Sequence, residues 1–112
     1  MIVLTYELPP ELEFFQRGFS LSERHEHDEG IISYIYLYEN ERQLIVSFEH
    51  HSINVKILDG DLVTLSLSQE NIENVAFQAW GDEQIIRVYL NDSFNDVKIF
   101  YKPTARVIFH DE

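Results

Sequence analysis

The residues best suited to chemistry lie in one short stretch, Glu23-Arg24-His25-Glu26-His27-Asp28-Glu29-Gly30. On an extended backbone alternate side chains point the same way, so His25 and His27 would present two imidazoles to a Zn²⁺ or Ni²⁺ ion. Asp28 or Glu29 would be the third ligand, with His50 or His51 approaching from another strand. No HExxH motif or ordered carboxylate set accompanies the two histidines. A solvated acidic strand end or an interaction surface explains the same residues without a metal. The expectation is therefore no bound metal and no cofactor, with a small metal-dependent enzyme built on His25 and His27 as an alternative.

Carboxylate pairs recur at Asp28/Glu29, Asp59/Asp61 and Asp82/Glu83. General acid–base catalysis needs two carboxyl groups in environments different enough to separate their pKa values. Each pair here falls at an expected turn, where water gives both members similar surroundings. There is no GxSxG nucleophile elbow, and the four glycines are scattered rather than gathered in a phosphate-binding loop. These absences point away from an enzyme. Two aromatic features suit binding instead. Tyr34, Tyr36 and Tyr38 alternate along one segment, and Trp80 precedes Gly81-Asp82-Glu83. Tyr and Trp offer rigid apolar area with a polar tip, which favours interface anchoring, although a strand covered on both faces uses them equally well.

Charge limits the partners. The chain has 20 acidic and 8 basic residues, a net charge of −12. Residues 1–56 and 57–112 each hold ten acids and four bases, so neither half has a basic pole. Such a surface repels nucleic acid and anionic membranes and attracts basic proteins. Acidity that serves only solubility is the plainer alternative. Hydrophobic residues make up 45% of the chain and include eight Phe, six Tyr and one Trp, which excludes a disordered acidic tail. A length of 112 residues fits one domain spanning residues 1–112. The chain has no cysteine, its first residues MIVLTYELPPELE lack a basic signal-peptide region, and no apolar run could span a bilayer. The expected location is the cytoplasm.

The elements that must position these residues follow from a period-two pattern. Segments 31–38, 42–49, 52–58, 62–67, 75–80, 83–90, 97–101 and 107–110 alternate apolar with other side chains. Ile53, Val55 and Ile57 share one face, as do Val63, Leu65 and Leu67, and Ile86, Val88 and Leu90. Turn signals separate them: Glu39-Asn40-Glu41, Asp59-Gly60-Asp61, Gly81-Asp82, Asn91-Asp92 and Lys102-Pro103-Thr104. The polar segment 68–74 reads as a loop or a single helical turn. A helix is expected near residues 10–17, opened by Pro9-Pro10-Glu11, with Leu12 and Phe15 on one face and Gly18 as the C-terminal cap. The fold class is mainly β: an antiparallel meander of roughly seven to nine strands, as a curved sheet or small sandwich, with one short N-terminal helix.

In size, charge and its acid-plus-aromatic stretches ERHEHDEG, YIYLYENE and AWGDE, the chain resembles small acidic bacterial immunity proteins and other toxin inhibitors. That resemblance implies a non-enzymatic inhibitor that masks the basic active site of a nuclease-like toxin, with carboxylates standing where substrate phosphates would sit. The expected contact residues are Glu23, Glu26, Asp28, Glu29, Tyr36, Asp59, Asp61, Trp80, Asp82 and Glu83. An acidic partner-binding or assembly protein unrelated to toxins, including a nucleic-acid mimic, is the other reading.

Overall fold

Short turns and regular alternation leave this chain few ways to pair its strands other than with their neighbours in sequence. The computed structural model describes residues 6–22, 30–90 and 96–110. A short helix, α1 (Glu11–Gln16), precedes β1 (Ser20–Leu21), β2 (Ile32–Leu37), β3 (Arg42–Phe48), β4 (Ser52–Asp59) and β5 (Leu62–Glu70). The strands β6 (Ile72–Trp80), β7 (Glu83–Leu90), β8 (Asp96–Lys102) and β9 (Arg106–His110) follow. They form a five-stranded sheet, β1-β2-β3-β4-β5, and a four-stranded sheet, β6-β7-β8-β9. Every strand pair is antiparallel. The expected meander, with one short N-terminal helix, is the observed fold.

The alternation explains the core. Ile53, Val55 and Ile57 of β4 are buried, while Asn54 and Lys56 are only partly covered. Ile86, Val88 and Leu90 enter the same core from the second sheet. Gly60 and Gly81 each take φ of 64° in the β4–β5 and β6–β7 hairpins, a conformation other L-residues adopt at a cost. Thr64 is a β-bulge residue: Leu65 stands opposite Ile57, but Val63 stands opposite Leu58. Val63 therefore leaves the face it was expected to share with Leu65 and Leu67, which alone of the three pack on the core.

The expected break at 68–74 is absent. β5 continues to Glu70 and β6 starts at Ile72, so Asn71 alone separates them, at φ of 63°. Asparagine tolerates this left-handed region better than most residues. Polar composition misleads here because β5 needs only one apolar face. Ser68 lies opposite Asn54, whose Nδ2 donates to Ser68 Oγ at 2.7 Å. At Asn71 the chain passes from the first sheet to the second.

The helix also packs differently from its sequence pattern. Leu12 and Phe15 are 64% and 41% exposed, whereas Phe14 is fully buried. The helix C-terminus dictates this. Phe19 N–H donates to Phe14 O at 3.0 Å and Gly18 N–H to Phe15 O at 3.1 Å, the two bonds of a Schellman cap. Gly18 has φ of 100°, and a Cβ there would meet the Tyr36 ring at 3.0 Å. The cap brings the Phe19 ring against Phe14, 5.7 Å between centroids. Phe14 stacks on Tyr34 at 4.0 Å and packs edge-on to Phe48 and Phe77. The tyrosine stripe thus faces the core: Tyr34 is buried beneath the helix, and Tyr36 and Tyr38 lie farther along the strand, toward its end.

Candidate functional site

Alternate turns of a meander fall at the same end of a sheet. The β2–β3 turn, Glu39-Asn40-Glu41, and the β4–β5 turn, Asp59-Gly60-Asp61, are therefore neighbours. Gly60 N–H donates to Glu41 O at 3.0 Å and ties the two together. Asn40 and Glu41 both take φ of 62°. For Glu41, which lacks the tolerance of glycine or asparagine, that region is uncommon. Four carboxylates, Glu39, Glu41, Asp59 and Asp61, thus belong to two adjoining turns.

Beside these turns is a cleft of about 610 Å³ lined by Tyr36, Leu37, Tyr38, Glu39, Asn40, Arg42, Asp59, Pro103 and Thr104. Pro103 and Thr104 come from the β8–β9 turn, so the cleft lies between the two sheets. Its aromatic wall is fixed by hydrogen bonds. Tyr38 Oη donates to Tyr101 O at 2.6 Å. Tyr101 Oη donates to Gln84 Oε1 at 3.1 Å and accepts from Arg17 Nη1 at 3.4 Å. The Tyr36 and Tyr38 rings are 4.8 Å apart, and Lys102 Nζ is 5.9 Å from the Tyr36 ring. Burial pushes the Tyr38 hydroxyl pKa above its ordinary value, Tyr36 and Tyr101 add to the rise, and Arg42 opposes it. Tyr38 is thus a neutral hydrogen-bonding group at physiological pH. Arg42 stands opposite Asp59 in the strand register and offsets part of the acidic charge. The lining is suited to binding. Carboxylates at the rim and tyrosine faces in the wall complement a cationic side chain through charge and cation–π attraction.

The residues singled out from sequence divide into three groups. Tyr36 and Asp59 meet in the cleft, and Asp61 is on its bordering turn. Trp80, Asp82 and Glu83 belong to the β6–β7 hairpin of the second sheet and do not line the cleft. There Trp80 is 45% exposed, with Lys98 Nζ 5.0 Å and Arg87 Cζ 5.9 Å from its ring. Arg106 Nη2 donates to Glu83 Oε2 at 2.6 Å. Glu23, Glu26, Asp28 and Glu29, with His25 and His27, lie outside the described residues. His51 Nε2 is 3.9 Å from Glu70, and among the described residues no three metal-ligating side chains gather. Sequence reasoning placed Tyr38 in the tyrosine stripe but did not single out Glu39, Glu41, Arg42, Pro103 or Thr104 as contacts. The available signal was that two acid-flanked turns separated by one intervening turn return to the same end of a meander.

No protein-family model matches the chain, and no curated protein matches it in sequence. In structure it is similar to a chain of the contact-dependent growth inhibition toxin–immunity protein complex from Klebsiella pneumoniae 342. The TM-score is 0.76 at 16% sequence identity, with 98% of each chain covered. At that identity the likeness is one of fold. Among the described residues no helix is long and apolar enough to cross a membrane.

Proposed function

We propose that this protein is a non-enzymatic, immunity-type inhibitor that acts in the cytoplasm by binding a toxin domain and covering its active surface. The observation that carries this reading is the end-to-end likeness of fold to a chain of a toxin–immunity protein complex. The net charge of −12 and the Glu39 and Asp59 carboxylates in the cleft support a finer version, in which the partner is basic and nuclease-like. The long-range field of the inhibitor speeds encounter, and complementary charges fix the register. A lysine or arginine of the toxin then enters between Tyr36, Tyr38, Glu39 and Asp59, with Glu41 and Asp61 at the rim. Trp80, Asp82 and Glu83 form a second contact region on the neighbouring sheet, and Glu23, Glu26, Asp28 and Glu29 complete the proposed set.

The test is binding kinetics against the toxin domain recovered by native pull-down from the source cell. Association should slow steeply between ~0.15 M and ~1 M salt, as the screening length falls from roughly 8 to 3 Å, while dissociation changes less. Replacing Glu39, Glu41, Asp59 and Asp61 together by their amides should weaken binding at least tenfold, about 1.4 kcal/mol. The corresponding variant of Glu23, Glu26, Asp28 and Glu29 tests the remaining acids in the same way. A salt-independent association rate, with both variants binding like wild type, would reduce the acidity to a solubility device.

A further inference from the structure

The end of the first sheet that borders the cleft carries both charge and exposed apolar surface. Strand residues 32–37, 42–48, 52–58 and 62–69 contain no Asp or Glu. The acids at this end are therefore those of the two adjoining turns, Glu39, Glu41, Asp59 and Asp61. All four are exposed, and among the described residues none of them forms an ion pair.

Beside these turns one row of side chains crosses four strands. Leu37 stands opposite Gln43, Gln43 opposite Leu58, and Leu58 opposite Val63. Directly opposed residues share a face. Their chain neighbours Tyr36, Leu44 and Ile57 pack on the core, which puts the row on the outer face. In a regular strand Val63 would point inward with Leu65, and the Thr64 bulge turns it outward to complete the row. Leu37 is 63% exposed, and Leu62, next to Val63 and opposite Asp59, is 68% exposed. Leu37 also lines the cleft, so row, carboxylates and cleft are continuous. Single exposed leucines are ordinary on a protein surface. A row of them bordered by unpaired carboxylates has the apolar centre and polar rim of an interface.

We propose that this sheet end docks a protein surface on which leucine-, isoleucine- or valine-type side chains are flanked by lysine or arginine. The apolar side chains cover Leu37, Leu58, Leu62 and Val63, and the cations reach the four turn carboxylates. The charged border decides the occupant. A second copy would bring twice those four carboxylates to the border of one interface, and nucleic acid or an anionic membrane would be repelled. A basic but wholly polar surface would leave the apolar row uncovered. A neutral apolar surface would strip water from the carboxylates and give them nothing in return. That the owner of the docked surface is the toxin domain rests on the inhibitor reading above. The two components act at different stages of binding. Carboxylates attract from a distance, whereas the row acts only on contact, so it holds the complex together rather than speeding its formation.

Leu37→Gln, Leu62→Gln and Val63→Thr, combined in the full chain, change exposed side chains and no charge. Circular dichroism of this triple variant should match wild type. Against the toxin domain recovered by pull-down it should dissociate at least tenfold faster, with the association rate and its salt dependence unchanged. Leu12→Gln, at an exposed leucine of α1 outside the row, should bind like wild type. A second readout needs no toxin. Wild-type protein is titrated with a short peptide of alternating lysine and leucine and followed by amide chemical shifts. The shifts should gather at residues 37–43 and 58–63, and a lysine–serine peptide of equal charge should bind at least tenfold more weakly. A triple variant that dissociates like wild type overturns the proposal. So does equal binding of the two peptides, or a set of shifts away from this sheet end. A toxin domain that wild type fails to bind would sink the inhibitor reading, and the peptide comparison would still decide the docking surface.

Discussion

Tyrosine hydroxyls link the core of this protein to its proton chemistry. Burial pushes the Tyr34 hydroxyl up to about 12, and the charge of Glu11 adds to the rise. Burial likewise raises Tyr6, with the charge of Glu49 adding and a hydrogen bond to the Glu49 carbonyl opposing. Tyr101 is raised by burial against the lowering influence of Arg17. A pKa that is higher in the folded state contributes stability that is fully present below the unfolded value of 10.0. Above that pH the unfolded chain sheds protons that the folded chain retains, so stability falls as pH rises toward about 12. Phenolate absorbance followed from pH 8 to 13 should therefore show tyrosines that ionise late and together with unfolding. A gradual titration of every tyrosine near pH 10, with circular dichroism unchanged, would contradict the burial of these hydroxyls. Their sequence signal, the alternation of Tyr34, Tyr36 and Tyr38, was legible as one shared face. Alternation gives no hint of which face a sheet covers, and only the helix lying over Tyr34 decides it.

Among the elements, α1 shows how far local pattern carries. Pro10 and Gly18 bracket a helix that is where the sequence puts it, because both residues act through their own backbone geometry. Its buried face was not legible. With only six residues, Glu11–Gln16, the helix is too short for the apolar periodicity to be informative, and the Schellman cap turns Phe14 inward rather than Leu12 and Phe15. Hairpins with Asp59-Gly60 and Gly81-Asp82 were readable for the same reason as the cap. The Thr64 bulge and the unbroken run through Ser68 and Gln69 were not, since they depend on what β4 offers across the sheet. Phe14 is fully buried among Phe19, Tyr34, Phe48 and Phe77, so Phe14→Ala should cost about 3–5 kcal/mol. Leu12→Ala, at a side chain 64% exposed, should stay within about 0.5 kcal/mol of wild type. Urea unfolding of both variants measures the difference. Equal losses would mean that the helix docks through its outer face instead.

At the scale of the whole molecule the dominant fact is again charge, and its arrangement explains why so little of the site could be read from a linear sequence. The acids are spread evenly along the chain, but the meander places those of the first sheet at strand ends and turns and leaves the strand interiors free of them. Among the described residues close ion pairs are few. Arg87 Nη2 is 2.6 Å from Asp96, which is almost wholly buried, Arg106 is paired with Glu83, and Arg17 with Glu13. With 20 acids and 8 bases, most carboxylates have no cation to answer them, so self-repulsion outweighs pairing across the molecule. Adding salt screens the repulsion between exposed charges much more than it weakens a buried pair such as Arg87–Asp96. The isolated protein should therefore become more stable as salt rises from ~0.01 M to ~0.5 M, while its association with a basic partner slows over the same range. Thermal unfolding at several salt concentrations, alongside association kinetics in the same buffers, checks both signs. A melting temperature that falls with added salt would mean that surface ion pairs outweigh the repulsion. The acidity would then be balanced within the fold rather than held in reserve for a partner.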